Sequence, residues 1–185
     1  TELHTTLRAI VDLPEEAEHA ARSGAEGVGL MRTEFLVVGR ATMPDEDEQF
    51  RAYCRVVQAF GGRPVVIRTF DIGGDKLPVG GHPSEPNPFL GWRAIRMCLD
   101  QPDLFRTQLR ALLRAAQHGD VRIMLPLVVT LDEVHGARAL LNQTADEVAL
   151  VLELAHLPQE EVELRRTLHR AGRLWPTAFC ALGAR

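Results

Sequence analysis

The sequence predicts an α/β protein built on a parallel sheet. Two observations carry that expectation: four short apolar runs spaced along the chain, and segments of helical periodicity that fill the gaps between them. The runs are Leu7–Val11, Val28–Met31, Val65–Thr69 and Ile123–Val128. Each is too short for a helix and apolar nearly throughout, the pattern of a strand buried on both faces.

The first helix is expected over Pro14–Ser23, with acidic residues at its start, alanines inside and Gly24 as its stop. A second runs from Asp45 to Phe60, where Phe50, Tyr53, Cys54 and Val57 recur at helical steps before Gly61-Gly62. Leu104, Phe105, Leu109, Leu112, Leu113 and Ala116 form the stripe of a third, which ends at Gly119. Asp100 and Asp103 sit where its N-cap and third-position partner belong. Thr130 and Glu133 open a fourth as a capping box. The order β-α-β-α-β-(loop)-α-β-α requires right-handed crossovers, which the helices supply. It fits both an open doubly wound sheet and part of a closed barrel.

Composition narrows the function classes. A hydrophobic fraction of 45% and a charged fraction of 25% are those of a globular domain, not of a disordered or fibrous chain. With 21 basic and 25 acidic residues the net charge is −4, which offers no footprint for nucleic acid or an anionic membrane surface. Cys54, Cys98 and Cys180 are widely spaced and form no CxxC or His/Cys cluster, so buried, reduced cysteines in a cytoplasmic protein are expected. No apolar run approaches the ~20 residues of a membrane span, and the N-terminus is not that of a signal peptide. It also lacks an initiator methionine, as a chain beginning part-way into a longer product would.

Chemistry concentrates at the strand ends. Val28-Gly-Leu-Met-Arg32-Thr33-Glu34 and Val65-Val-Ile-Arg68-Thr69-Phe70-Asp71 each deliver an Arg-Thr pair at the C-terminal end of an apolar run. That edge is where parallel α/β folds bind ligands. A guanidinium fork matches carboxylate or phosphate two bonds at a time, so two converging forks select a small multiply charged anion. The plainer alternative is that each arginine caps its strand or pairs with Glu34 or Asp71. Asp71-Ile-Gly-Gly-Asp75-Lys76 then offers a tight glycine turn and a compact positive charge, Lys76, without Walker spacing. The 12-residue loop Leu77–Pro88 is long enough to suspect function. After it, Asn87-Pro-Phe-Leu-Gly91-Trp92-Arg93-Ala-Ile-Arg96 opens the next helix. Arg93 there lies against the dipole preference of a helix start, which suggests service to a ligand, pairing with Glu85 or Asp100 being the alternative. Arg106, Arg110 and Arg114, four residues apart, read as a solvated helix face. The seven histidines show no metal-binding or HExxH spacing.

Taken together these stretches resemble the phosphoenolpyruvate-binding barrel of the phosphoenolpyruvate–protein phosphotransferases, enzyme I of the bacterial sugar phosphotransferase system. The resemblance is carried by Gly24-Ala-Glu-Gly-Val-Gly-Leu-Met-Arg-Thr-Glu-Phe35, Pro44-Asp-Glu-Asp-Glu-Gln-Phe50 and Val66-Ile-Arg-Thr-Phe-Asp-Ile-Gly-Gly-Asp-Lys76. It continues through Asn87–Arg96, Gln108-Leu-Arg-Ala-Leu-Leu-Arg-Ala115 and Arg122-Ile-Met-Leu-Pro126. It covers Ala9 to Leu141, about seven-tenths of the chain. Pyruvate phosphate dikinase and phosphoenolpyruvate synthase share the barrel but match the Gly-Gly-Asp-Lys and Gly-Trp-Arg stretches less closely.

The resemblance implies a partial (β/α)₈ TIM barrel, about its first four β/α units over residues 1–143. The C-terminal tail over 144–185 reads as two helical pieces divided near Pro158 and has no counterpart in the family pattern. The resemblance also implies that Arg32 and Arg68 hold the phosphoryl group of phosphoenolpyruvate, with Lys76, Arg93, Asp71 and Asn87 near the site. The reaction implied is transfer of phosphate to a protein histidine with release of pyruvate, in which Mg²⁺ bridges phosphate and carboxylate.

The chain departs from the pattern in its later parts. The family's glutamate metal ligand, the Asn-Asp pair that follows it and the catalytic cysteine are not recognisable, and Cys180 lacks that cysteine's setting. Neither His82 nor His118 stands in the context of the phosphorylated histidine. No catalytic residue and no metal ligand is therefore assigned, and the segment is expected to be catalytically incomplete as this chain alone. The alternatives are a non-catalytic anion-binding or interaction module, such as a truncated paralogue, and a small α/β enzyme using Arg32, Arg68 and Asp71 on another phosphorylated acid. Self-association, or a chain supplying the rest of the barrel, is the partnership an incomplete sheet invites.

Overall fold

Four parallel strands stand in sequence order, β1 (Ala9–Val11), β2 (Val28–Arg32), β3 (Val65–Arg68) and β4 (Val121–Met124), in a computed structural model that describes residues 5–73 and 91–154. The helices between them are α1 (Glu16–Arg22), α2 (Glu46–Phe60), α3 (Ile95–Asp100) and α4 (Pro102–Ala115), and α5 (Leu131–Leu154) follows β4. A doubly wound sheet reverses its strand order at a switch point. The order β1-β2-β3-β4 has no reversal. With right-handed crossovers it places every connecting helix on one face, as in a barrel wall.

That arrangement corrects one expectation. The strands are not buried on both faces. On β3, Val65 and Ile67 are buried while Val66 and Arg68 are half-buried, and β4 alternates in step, with Arg122 and Met124 exposed. Among the described residues the helices cover one face, and apolar residues of the other, Ile10 on β1 among them, are exposed. The fourth strand also lies earlier than expected, ending at Met124 instead of Val128. Pro126 has no N–H for a ladder, and Leu127 turns the chain at a φ of 55°.

Under the covered face, Val11, Met31, Val65 and Ile67 of the sheet meet Tyr53, Val56, Val57 and Phe60 of α2 and Phe105, Leu109, Leu112 and Ala115 of α4. Each large side chain buried there is worth roughly 1.5–3 kcal/mol of transfer free energy. Strand β2 approaches its neighbour through Gly27, where a Cβ would stand 2.5 Å from the Pro64 carbonyl oxygen at a φ of 154°. Only glycine fits there.

Helix α2 begins with a complete capping box, Asp45 with Glu48, and ends on Gly61 in the left-handed region. The capping box expected of Thr130 and Glu133 is also formed. That of Asp100 is not. The segment before α4 folds into the separate helix α3, whose last residue is Asp100, and α4 starts at Pro102 after Gln101 with no side-chain cap. Asp100 instead accepts from Trp92 Nε1 at 2.9 Å, and Asp103 pairs with Arg106. The arginine face of α4 is likewise more engaged than a solvated stripe. Arg110 and Arg114 both reach Glu46 at the start of α2, at 2.7 and 2.8 Å, and Arg114 lies over the Phe50 ring.

One buried polar chain crosses this otherwise apolar layer. Gln49 Nε2 donates to the Pro44 carbonyl, Tyr53 Oη donates to Gln49 Oε1, and Gln108 Nε2 donates to Tyr53 Oη. Burial pushes the Tyr53 phenol well above its ordinary pKa, so it stays protonated. Cys54 and Cys98 are buried and free, and burial pushes the Cys98 thiol up to about 12. Cys180 lies outside the described residues.

The chain divides into two compact units, Thr1–Ala145 and Asp146–Arg185. In the second, residues 146–154 are described, as the continuation of α5. Among the described residues no helix is long and apolar enough to cross a membrane.

Candidate anion-binding site at the strand ends

Parallel pairing sets the site. Arg32 and Arg68 are the last residues of β2 and β3 and are direct partners in the register. Both therefore project on the same face, the one the helices leave open. Thr33 then starts a 3-10 turn over Thr33–Leu36 that places Glu34 beside the arginines. Its hydroxyl donates across to the Arg68 carbonyl at 2.8 Å, tying the two strand ends together.

Each arginine is held by carboxylates. Arg32 turns a two-pronged fork to Asp12, its Nε donating to Oδ1 at 2.5 Å and its Nη2 to Oδ2. The hydrogen bonds to Asp12 raise the Arg32 pKa further above its ordinary value. Arg68 donates through Nη2 to Glu34 and pairs through Nη1 with Asp71 at 3.3 Å. Arg93 completes the row. An isolated antiparallel bridge joins it to Gly73, and its Nε donates to Asp71 Oδ1 at 2.8 Å. Asp71 thus lies between two guanidinium groups. The expected placement of Arg93 inside a helix start does not hold, because α3 begins two residues later and Arg93 is in the entry turn. Of its anticipated partners, Asp100 bonds to Trp92 while Arg93 pairs with Asp71, and Glu85 lies outside the described residues.

The strand-end residues Arg32, Arg68, Asp71 and Arg93 are brought together as the sequence suggested, and so is the pairing with Glu34 and Asp71 that the plainer alternative required. Lys76 and Asn87 lie outside the described residues. Asp12 was missed. It follows β1 directly, and the signal that could have found it is its place at the same C-terminal edge as Arg32.

Electrostatically the row is balanced, with Arg32, Arg68 and Arg93 against Asp12, Glu34 and Asp71. It is not fully satisfied. Arg68 Nε, Glu34 Oε2 and Thr69 Oγ1 are buried without a hydrogen-bond partner. Native structures leave few such atoms, and those they leave call for a specific cause such as a ligand. The set is mixed: Arg68, whose side chain is 16% exposed, keeps an unused N–H that an anion could take, Glu34 keeps an unused acceptor that an anion would have to displace, and Thr69 is fully buried. A divalent metal fits less well. Among the described residues no group of three His, Cys, Asp or Glu side chains could hold one, and the carboxylates at this edge are engaged by guanidinium groups.

Comparison with known proteins bears on the same stretch. Residues 1–157 match the family model described as PEP-utilising enzyme, PEP-binding domain. The matched region runs past Leu141, beyond the motifs that carry the resemblance. Among curated proteins, the chain is 55% identical over 140 residues to the phosphoenolpyruvate-protein phosphotransferase of Bacillus sp. (strain S), covering 75% of this chain and 24% of that protein. It is 49% identical over 162 residues to the protein of the same name from Priestia megaterium, covering 87% and 27%. Against that of Bacillus subtilis (strain 168) it is 49% identical over 146 residues, covering 78% and 26%. The chain thus spans about a quarter of the length of the curated relatives it matches.

Proposed function

The chain belongs to the family of PEP-utilising enzymes, as their PEP-binding domain, and on that premise we propose that its strand-end arginines grip the phosphoryl group of phosphoenolpyruvate. One observation carries the assignment: Arg32 and Arg68 face the same way in direct register at the ligand-binding edge of a parallel sheet, with Arg68 Nε still unused. Phosphoenolpyruvate enters by exchange. Its phosphoryl oxygens replace Glu34 and Asp12 as partners of the two forks, a swap of one charge-assisted pair for another. Lys76, Arg93, Asp71 and Asn87 are assigned to the surroundings of the bound anion.

In the family reaction the phosphoryl group passes to a protein histidine and pyruvate leaves. The residues of this chain contribute binding and charge stabilisation to that step, where negative charge spreads over the migrating group. Among the described residues none is assigned as its metal ligand or its proton donor. The four-stranded wall is assigned to a (β/α)₈ barrel, whose closure needs strands beyond β4.

Grafting this segment into an active relative tests the assignment. Arg68→Ala abolishes phosphoryl transfer in the chimaera and Arg32→Ala cripples it, each by a factor on the order of 10²–10³. Lysine rescues poorly because a point charge cannot replace the fork. Arg110→Ala, whose partner is Glu46 on α2, changes the rate less than about twofold. Near-normal turnover of both alanine variants would remove the arginines from the site.

A further inference from the structure

Gln108 has no part in the binding scheme above, yet from another element it bonds to the segments that follow both arginine-bearing strands. It lies in the middle of α4, fully buried, a costly place for an amide unless every polar atom is matched. Every one is used. Oε1 accepts from the Phe70 N–H at 3.1 Å, two residues past Arg68. Nε2 donates to Thr33 Oγ1 at 3.3 Å, one residue past Arg32, and to Tyr53 Oη at 3.1 Å. Thr33 in turn donates to the Arg68 carbonyl, closing a loop of bonds beneath the two arginines.

We propose that Gln108 is a positioning residue that sets the spacing of Arg32 and Arg68, oriented by Tyr53 and Gln49 behind it. The inference deepens, and rests on, the assignment of the arginines to phosphoenolpyruvate. An ordinary core would place leucine or alanine at such a helix position, since an apolar side chain packs there without needing partners. What an amide adds is direction: its acceptor and its two donors point to different segments and fix them together. Phe70 N–H follows the last strand residue, where the sheet ladder no longer holds it, so Gln108 extends the order of β3 into the turn that carries Asp71. Tyr53 orients the amide. Its hydroxyl donates to Gln49, which leaves it only an acceptor for Gln108, so the nitrogen of Gln108 faces Tyr53 and Thr33 and the oxygen faces Phe70.

The substitutions separate positioning from bulk packing. Gln108→Leu keeps the volume and removes every bond. Gln108→Glu keeps the acceptor for Phe70 and loses the donors, so Thr33 turns its hydroxyl to the new carboxylate and releases the Arg68 carbonyl. Tyr53→Phe keeps the fold and frees the amide to turn.

Amide hydrogen exchange on the whole chain reads the first consequence, with Val28 and Val65 at the opposite edge of the sheet as internal references. Gln108→Leu is expected to speed exchange at Phe70 about tenfold relative to those references. Gln108→Glu leaves Phe70 protected, and Tyr53→Phe lies between them. Titration of the same proteins with phosphoenolpyruvate, followed at the arginine Nε–H resonances, reads the second. Affinity falls about tenfold in Gln108→Leu although both arginines remain.

Uniform acceleration across the sheet, or an unchanged Phe70, overturns the inference and makes Gln108 ordinary core. Faster exchange at Phe70 with unaltered affinity overturns it too. If the wild-type chain shows no arginine response to phosphoenolpyruvate, the parent assignment fails instead, and the Phe70 exchange alone decides whether Gln108 sets the strand ends.

Discussion

Arg68 and Glu34 form a half-buried ion pair at the end of the sheet in which each partner keeps one buried atom, Nε and Oε2, without a hydrogen bond. A pair left incomplete on both sides is a weak lock. Glu34 then acts as a placeholder that an incoming anion displaces. Replacing it by glutamine should tighten binding of phosphoenolpyruvate by about tenfold, since one charge-assisted bond no longer has to be exchanged. Arg68→Ala should lose binding and also destabilise the fold by roughly 2–3 kcal/mol, because Glu34 is left buried without its ion-pair partner. The double variant Arg68→Ala/Glu34→Gln should regain more than half of that stability without regaining affinity. Chemical denaturation and calorimetric titration of the three proteins check this, and equal affinity of wild type and Glu34→Gln would count against the placeholder role.

The uncovered face of the sheet leads to a prediction about association. Leu7 and Ile10 are 67% and 65% exposed, Met124 is 39% exposed, and β1 and β4 each have one neighbour among the described residues. Unpaired edges beside exposed apolar side chains recruit further strands. Light scattering of the whole chain should show mass rising with concentration, and Ile10→Lys should reduce the rise. A monomer that stays monomeric at high concentration would show that this edge is not adhesive.

Ala94 carries backbone strain next to the site. It is fully buried, at φ 54° and ψ −123°, between Arg93 and α3, and its N–H donates to the Ile72 carbonyl. A non-glycine residue in such a region costs of order 1–3 kcal/mol. Ala94→Gly should therefore leave stability unchanged or raise it, despite the roughly 0.5–1 kcal/mol that glycine ordinarily loses to entropy. Ala94→Val should lower it by more than about 2 kcal/mol. Melting curves distinguish the two, and a glycine variant less stable than wild type would contradict the strain.

Glu133 gives the fold a pH dependence with a definite sign. Its carboxylate accepts from the Val129 and Thr130 amides at 2.7 and 2.9 Å and lies 3.6 Å from Arg96, and these bonds, the backbone ones foremost, hold its pKa below the ordinary value. A depressed folded-state pKa contributes stability that is present above the unfolded value of about 4.3 and is lost as pH falls through the folded one. Glu133→Gln should thus cost about 1 kcal/mol at neutral pH and nothing at about pH 2. Thermal melts across that range measure the gap, and a gap independent of pH would exclude the charge as its source.

How much of this was legible beforehand follows the physics of each signal. Alternating apolar runs and caps gave the element order, because strand and helix periodicities are local, and they placed Arg32 and Arg68 at strand ends. Strand order was not local, so periodicity left it open, and the β1-β2-β3-β4 pairing supplied it. Burial on both faces was misread for the same reason, since composition alone does not say which face helices will cover. Asp12 and Gln108 escaped notice because their roles arise from contacts across 20 and 75 positions of sequence, to Arg32 and Thr33. The split of one helix into α3 and α4 was hidden because Pro102 is as comfortable in a first turn as after a helix end.

Titrating the whole chain with phosphoenolpyruvate, with and without Mg²⁺, tests the central claim most directly. The arginines alone should give weak, saturable binding with a Kd above about 1 µM, little affected by Mg²⁺ and lost in Arg68→Ala. Affinity that survives Arg68→Ala unchanged would contradict the assignment of the strand ends to the phosphoryl group, and tight, Mg²⁺-dependent binding would contradict the absence of metal chemistry from these residues.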